Sequence, residues 1–138
     1  MTATLPPIEA EVQAAIGALK ATPAVAKALE QARAEVDRAM TEQVELCEIP
    51  SPTFAEGDRA KSVAERMRAY GLTDVTIDAI GNVIGKRPGK GRGPVLALGA
   101  HMDSVFPAGT DVRVKQEGNI YRAPGIGDNC SGLRALLQ

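Results

Sequence analysis

Two side chains near the middle of the second half of the sequence have types and spacing that suit metal chemistry. His101 is the only histidine of the chain, and Asp103 follows it by two residues at the end of the apolar run PVLALGAH. Neutral imidazole is a common zinc ligand, and its other ring nitrogen normally donates to a carboxylate or a carbonyl that fixes the ring. This pattern predicts a zinc ligand at His101 with an orienting carboxylate at Asp103. The other interpretation is a strand-end histidine that bonds only to solvent or backbone.

A second acidic turn lies further along the chain. Asp128 stands in PGIGDNCSG, close to three glycines and immediately before a predicted helix. A dinucleotide-binding fingerprint would need its third glycine at position 130, which is Cys130. A carboxylate on a glycine-permitted turn also suits a cation better than a pyrophosphate. The alternative role for Asp128 is an ordinary helix N-cap.

Composition and charge exclude several classes of function. The chain has 138 residues, enough for one domain, and its 44% hydrophobic and 24% charged residues are typical of a soluble globular protein. A net charge of −1, no tryptophan and only two tyrosines and two phenylalanines argue against nucleic acid or an anionic membrane as partner. Cys47 and Cys130 do not form a disulfide framework, and we find no signal peptide or membrane span. We therefore expect a reducing, cytoplasmic location.

The first half of the chain has helical periodicity. From Pro7 to about Leu46 the apolar spacing predicts two helices, with Thr22 as N-cap and Pro23 as the first residue of the second. The predicted inward faces are Ile8, Val12, Ala15, Ile16 and Leu19 in the first helix, and Val25, Leu29, Val36, Met40, Val44 and Leu46 in the second. The loop EIPSPTFAEGD follows, and DRAKSVAERMRAYGL predicts a third amphipathic helix with Gly71 as its C-terminal cap.

The period then changes to that of strands. DVTIDAIGNVIGKR predicts two short strands with a turn at Gly81 and Asn82, and PGKGRGP predicts a mobile hairpin connection or, alternatively, a phosphate-binding loop. PVLALGAH predicts a strand buried on both faces, DVRVKQEGNIYRA predicts a hairpin turning at 117–119, and the chain ends in a helix. Helices, one central apolar strand and a last helix together predict an α/β sandwich.

In order, four segments resemble the acetylornithine deacetylase / glutamate carboxypeptidase family of dinuclear zinc metallopeptidases. These segments are CEIPSPTFAEGDRAKSVAERMRAYGL, IDAIGNVIGKRPG, LALGAHMDSVFPAGTDV and YRAPGIGDNCSGLRALL. The form GIGDN together with HMDSVFPAGT is most similar to the peptidase T and tripeptidase branch. The resemblance implies the amino-terminal part of a zinc-exopeptidase-type α/β sandwich with a mixed sheet, preceded by long helices.

The resemblance also implies roles for the acidic turns. It makes His101 a ligand of one zinc and Asp128 the carboxylate that bridges two Zn²⁺ ions, or Co²⁺ or Mn²⁺ in their place. It counts Asp103 among the catalytic residues, as the carboxylate that orients His101. It implies a cis peptide bond after Asp128. Cys130 stands in the first turn of the last helix, where we expect a small packed side chain rather than a metal ligand; the alternative is a reactive thiol. The substrate would be a small peptide or an N-acyl amino acid.

Other parts of that family's site have no counterpart in the chain. The resemblance expects a downstream Glu-Glu pair that supplies the general base and a ligand, further ligands, and a lid domain that mediates dimerisation. We therefore expect residues 1–138 to be the amino-terminal piece of a metallopeptidase or amidohydrolase, inactive alone. The alternative is a non-catalytic module that keeps the scaffold and binds a metal or a partner.

Overall fold

The computed structural model of the protein describes residues 8–91 and 93–138. The chain divides into two compact units, one ending at Asp37 and the other comprising Arg38–Gln138. The helices and strands are α1 Ala10–Ala21, α2 Pro23–Ala34, α3 Val36–Cys47, α4 Gly57–Ala69, β1 Thr73–Ile77, β2 Val83–Lys86, β3 Lys115–Glu117, β4 Ile120–Arg122 and α5 Cys130–Leu137. Among the described helices, none is both long and apolar enough to cross a membrane.

The first unit is built from α1 and α2, neither of which has a buried residue. The predicted start at Pro7 lies outside the described residues, and Pro23 is the first residue of α2, as expected. Thr22 is the N-cap residue of α2, as predicted, but its hydroxyl makes no capping bond to α2 and donates to the carbonyl of Leu19 at 2.8 Å. The hydroxyl thus satisfies one of the orphan carbonyls at the end of α1 rather than an orphan amide of α2.

The second predicted helix is interrupted. At Glu35 the backbone has φ −98° and ψ 9°, which ends α2 at Ala34, and α3 begins at Val36. The buried residues of α3 are Ala39, Gln43, Leu46 and Cys47. The inward position of Leu46 is thus confirmed, whereas Val36, Met40 and Val44 are not buried. The buried positions recur at helical spacing, but Ala39 is small and Gln43 is polar, so an apolar count alone did not select them.

A small apolar core holds the second unit together. The buried side chains are Leu46, Val63, Met67, Leu133 and Leu137, contributed by α3, α4 and α5. The end of α4 follows the sequence prediction: Gly71 has φ +79°, and the amide of Leu72 donates to the carbonyl of Met67 at 3.0 Å. A left-handed glycine at this position turns the chain out of the helix towards β1.

Both predicted hairpins are confirmed. β1 and β2 pair antiparallel, and the Asp78 carboxylate accepts hydrogen bonds from the amides of Ile80 and Asn82 in the connecting turn. β3 and β4 also pair antiparallel, with Glu117 opposite Ile120. Gly118 has φ +60°, the left-handed conformation that a tight two-residue hairpin turn favours.

The predicted central strand is the main correction. Residues 94–100 have no strand assignment, and Val95, Leu96 and Leu98 are 96%, 80% and 72% exposed. A strand needs a neighbour for its backbone donors and acceptors, and among the described residues none pairs with this segment. Its apolar composition therefore does not lead to burial. Part of the connection before it, Arg92, lies outside the described residues, so both interpretations of PGKGRGP stay open.

The fold class is mixed α/β, as predicted, with helices and two small antiparallel hairpins. Parallel pairing occurs within the described ranges only as one isolated bridge, between Pro52 and Ser104. The mixed sheet and the sandwich stay predictions. The bridge matters for the site, because it brings the loop before α4 beside the residues that follow His101.

Candidate metal centre

The two acidic turns meet at His101. Its Nε2 lies 2.9 Å from Oδ1 of Asp128, and its Nδ1 lies 3.0 Å from Oδ1 of Asp103. The imidazole therefore has one carboxylate on each ring nitrogen. This convergence across 27 residues of sequence is the arrangement that the His-x-Asp motif and the glycine-rich loop predicted.

Asp103 is held on its far side by a hydroxyl. Thr53 Oγ1 donates to Oδ2 of Asp103 at 2.7 Å, so the two oxygens of this carboxylate have different partners. The side chain of Asp103 is 30% exposed, whereas that of Asp128 is 91% exposed. Of the two carboxylates, Asp103 is the one fixed in place by the protein.

The loop carrying Asp128 leads directly into α5. Gly125 has φ +80°, and its carbonyl accepts the amide of Cys130 at 3.1 Å. The peptide bond between Asp128 and Asn129 is cis, as the resemblance implied. Asn129 is the N-cap residue of α5, and its Nδ2 donates to the carbonyl of His101 at 3.4 Å. Asp128 is therefore not the N-cap, and its carboxylate stays available at the loop surface.

Two side chains from earlier in the second unit, Ser51 and Arg59, hold the backbone between His101 and Asp103. The carbonyl of Met102 accepts the Ser51 hydroxyl at 2.8 Å and the Arg59 guanidinium at 2.8 Å. Arg59, only 1% exposed, also donates to the carbonyls of Cys47 at 3.3 Å and Ile49 at 2.5 Å. A buried guanidinium is tolerated here because several carbonyls share its donors.

These contacts were not predicted from the sequence. EIPSPTFAEGD was predicted only to be a loop, although Ser51 and Thr53 carry hydroxyl donors and Arg59 follows in the first turn of α4. Two hydroxyls in a proline-rich loop are a usable signal for side-chain to backbone bonding. No local pattern, however, indicates that their acceptors lie about 50 residues further along the chain.

Electrostatics follow from these contacts. The Asp128 carboxylate, supported by Asp103, raises the pKa of His101 above its ordinary value, while partial desolvation opposes the shift. The hydrogen bond from Thr53 lowers the pKa of Asp103, and His101 adds to that effect. These contacts therefore favour the ionised form of Asp103 and the protonated form of His101.

The side chain of Cys130 is buried and does not face the candidate ligands as an exposed thiol. It is the first residue of α5 and is fully buried, as is Cys47. The neighbouring thiol of Cys47 lowers the pKa of Cys130, burial opposes this shift, and the positive charges of Arg59 and His101 add to it. The buried position agrees with a small packed side chain.

The donor set suits a zinc-type cation but is incomplete. An imidazole nitrogen and a carboxylate oxygen face one another, and the second imidazole nitrogen has a carboxylate partner, as at zinc sites. Within residues 8–91 and 93–138, no group of three or more histidine, cysteine or acidic side chains is placed to hold a metal ion. The chain thus offers two candidate ligands, His101 and Asp128, where a catalytic zinc typically has three from protein.

Comparison with known proteins supports a hydrolase scaffold. Residues 82–138, which include all three site residues, match the model of Peptidase family M28. The chain is 42% identical over 93 residues to a Pyrococcus abyssi protein described as a LysW-lysine/LysW-ornithine hydrolase, covering 67% of this chain and 26% of that protein. Proteins with the same description from Pyrococcus furiosus and Thermococcus kodakarensis are 40% and 39% identical over 70 residues, covering 51% of this chain and 20% and 19% of their own lengths.

These matches support a family of the metallopeptidase and amidohydrolase type. They do not single out the acetylornithine deacetylase branch of the sequence-based resemblance. The matched stretch spans about a quarter of the Pyrococcus abyssi relative and about a fifth of the other two.

Proposed function

We propose that this chain supplies part of the metal centre of a hydrolase that cleaves amide bonds in short peptides or N-acyl amino acids. The observation that carries the proposal is the facing pair of donor atoms, His101 Nε2 and Asp128 Oδ1 at 2.9 Å, with Nδ1 of the same ring held by Asp103. In this proposal the metals are two zinc ions, or cobalt or manganese in their place. The family matches support the hydrolase class.

Each side chain has a distinct task in the proposed centre. An Nδ1–H that donates to Asp103 leaves the Nε2 lone pair of His101 for a cation. Asp128, which has two oxygens and is mostly exposed, would bridge the two cations and offset their mutual repulsion. When bound, the metal pair would polarise the amide carbonyl and activate water for attack.

The proposed centre is incomplete in residues 1–138. His101 and Asp128 give one metal two protein ligands and the other only the shared carboxylate, fewer than the usual three. No glutamate occupies a general-base position by motif, and such a base contributes about 10²–10⁴-fold in rate. We therefore propose that the chain alone binds zinc weakly and does not turn over substrate. The remaining ligands, and a lid through which the complete protein could dimerise, would come from further chain.

The substrate proposal draws on the relatives. The matched proteins are described as hydrolases of LysW-linked lysine and ornithine. An amino acid as part of the substrate is common to that description and to the N-acyl amino acids and short peptides expected from the sequence. We accordingly propose an amino-acid amide as the scissile unit.

Zinc titration of the purified chain tests the ligand assignment. Calorimetry should detect weak binding that His101→Ala and Asp128→Asn abolish. Asp111→Asn is the matched control, because Asp111 is an exposed carboxylate paired with Arg113 rather than with His101. Binding that survives both site substitutions would contradict the proposal.

Hydrolysis assays complete the test. Dipeptides, tripeptides and N-acyl amino acids would be incubated with the chain and added zinc, cobalt or manganese, and we expect no turnover. Turnover abolished by His101→Ala would show a complete site and contradict the proposed incompleteness. If a longer polypeptide that carries the remaining ligands is also inactive while zinc binds at His101, the non-catalytic metal-binding module replaces the hydrolase.

A further inference from the structure

We propose that Thr53 is a positioning residue for the metal centre: its hydroxyl holds the Asp103 carboxylate and thereby sets which nitrogen of His101 is left for a cation. Its importance for metal binding rests on the proposed function. Its effect on the imidazole does not, and can be measured without metal.

Each oxygen of the Asp103 carboxylate has its own hydrogen-bond partner. Thr53 Oγ1 donates to Oδ2 at 2.7 Å, and His101 Nδ1 faces Oδ1 at 3.0 Å. A carboxylate with a single partner can exchange its two oxygens by rotation about the Cβ–Cγ bond. Since Thr53 occupies Oδ2, such rotation costs a hydrogen bond, and Oδ1 stays directed at the imidazole.

The backbone holds Thr53 in place. The amide of Ala55 donates to the carbonyl of Pro52 at 2.8 Å, which closes a four-residue turn with Thr53 and Phe54 at its centre. Phe54 has φ +67°, the conformation that a type II turn requires at its third residue. The Phe54 amide donates to the Glu56 carboxylate at 2.7 Å, so the turn is fixed on the side of α4 as well.

Hydrogen bonds also join the loop that carries Thr53 to residues 102–104. The amide of Ser104 donates to the carbonyl of Ser51 at 2.8 Å, in the parallel bridge between Pro52 and Ser104. The Ser51 hydroxyl returns to the Met102 carbonyl at 2.8 Å. Residues on both sides of Thr53 and of Asp103 are therefore constrained, and the 2.7 Å bond links two fixed backbones.

This link decides a competition for one proton. A neutral imidazole carries a single N–H. Here Nε2 faces the Asp128 carboxylate, whereas Nδ1 faces the Asp103 carboxylate and, at 3.2 Å, the Asp103 backbone carbonyl, which can only accept a hydrogen bond. Asp128 is 91% exposed and can turn into solvent, whereas Asp103 is held by Thr53. The N–H therefore resides on Nδ1, where it donates to Asp103, and Nε2 keeps the lone pair that a metal needs.

The single histidine makes the test direct. In metal-free protein labelled with ¹⁵N-histidine, at a pH where the imidazole is neutral, long-range ¹H–¹⁵N spectra report the tautomer of His101 alone. We expect the Nδ1–H form in the unsubstituted chain and a shift towards a mixture of both tautomers in Thr53→Val, which is nearly isosteric but lacks the hydroxyl. Thr53→Ser should restore the original spectrum.

Thr110→Val is the matched control. Its hydroxyl donates to the carbonyl of Pro107 at 2.7 Å, in a loop without contact to His101, so the tautomer should not change. An unchanged Nδ1–H signal in Thr53→Val would overturn the proposal. If Thr53→Val fails to fold by circular dichroism, Thr53→Ala is measured in its place, with the same expected shift and the same overturning result.

Zinc titration separates this inference from the proposed function. With zinc alone as the probe, Thr53→Val should weaken binding by about tenfold, the lower end of the losses seen when an orienting partner is removed. If the unsubstituted chain binds no zinc, the proposed function fails while the tautomer result still decides the role of Thr53. Equal zinc affinities of the unsubstituted and Thr53→Val chains would contradict the positioning of the ligand.

Discussion

Two consecutive stretches of the chain have opposite relations to the rest of the molecule. Three of the four residues 101–104 are polar, yet hydrogen bonds join this stretch to Ser51, Thr53 and Arg59. Residues 94–100 are almost entirely apolar, yet Val95 and Leu96 are 96% and 80% exposed. The polar stretch is the organised one.

The difference shows that hydrogen-bond partners, rather than apolar content, fix the position of a segment. An extended segment has a donor or an acceptor at nearly every residue, and it becomes a strand only where another segment supplies the complementary groups. Residues 101–104 find such groups in the loop before α4 and in Arg59. Residues 94–100 lack a pairing strand among the described residues. Ala100, at the end of the stretch, packs partly against the apolar core, but Val95, Leu96 and Leu98 stay exposed and gain little from the hydrophobic effect.

Removal of the Arg59 guanidinium should have the largest effect on the stretch 101–104, because Arg59 is one of its hydrogen-bond donors. Arg59→Met leaves the buried carbonyls of Cys47, Ile49 and Met102 short of a donor, at about 1–3 kcal/mol for each unsatisfied group. We expect a loss of about 4 kcal/mol in the free energy of unfolding, measured by urea denaturation.

Arg113→Met provides the matched control for that loss. The Arg113 side chain is 82% exposed and forms a surface ion pair with Asp111, so its removal should change stability by less than about 0.5 kcal/mol. Similar losses for the two substitutions would show that the hydrogen bonds from Arg59 to the three carbonyls do not stabilise the fold.

A pair of identical truncations compares packing in the core with packing in the apolar stretch. Leu133, in α5, is 1% exposed, whereas Leu96 is 80% exposed. We expect Leu133→Ala to cost about 3 kcal/mol, because it removes buried methyl groups and leaves a cavity. Leu96→Ala should cost less than about 0.5 kcal/mol. A cost at Leu96 near that at Leu133 in thermal or urea denaturation would mean that residues 94–100 are buried in solution.

The Ser51 hydroxyl should have a smaller effect than either Arg59 or Leu133. In Ser51→Ala the Met102 carbonyl keeps Arg59 as a donor, so only one of two hydrogen bonds is lost. We expect a destabilisation of about 1 kcal/mol in urea denaturation. A loss as large as that of Arg59→Met would show that the Ser51 hydroxyl stabilises the Met102 backbone as much as the guanidinium does, and would contradict the expected order of the two effects.

Deuterium exchange perturbs the molecule least and compares the two stretches directly. The Ser104 amide donates to the Ser51 carbonyl at 2.8 Å and should exchange only on opening of the second unit. Amides of the exposed segment 95–100 should exchange with opening free energies near zero. Protection of those amides comparable to that of Ser104 would require a pairing partner for the segment, which exchange mass spectrometry or NMR would reveal.

Local patterns predicted much of the fold. Helical spacing located α4, and Gly71 and Gly118 marked a helix end and a hairpin turn because each needs a positive φ. At Thr22 the pattern located the N-cap residue of α2, but the side-chain hydroxyl bonds the preceding helix rather than an amide of the next one. In α3, periodicity placed Leu46 inward correctly but did not select Ala39 and Gln43, which are buried while Val36 is exposed.

By itself, the sequence determined the candidate ligand residues and the turns that carry them. His101, Asp103 and Asp128 were singled out from residue type and spacing, since ligand chemistry and glycine conformations are local properties. Tertiary structure decided the rest: that Thr53 bonds Asp103, that Arg59 and Ser51 hold Met102, and that Val95, Leu96 and Leu98 stay exposed. The physical reason is that a hydrogen bond or a packed face needs a partner, and these partners lie some 50 residues away, beyond the range of any local pattern.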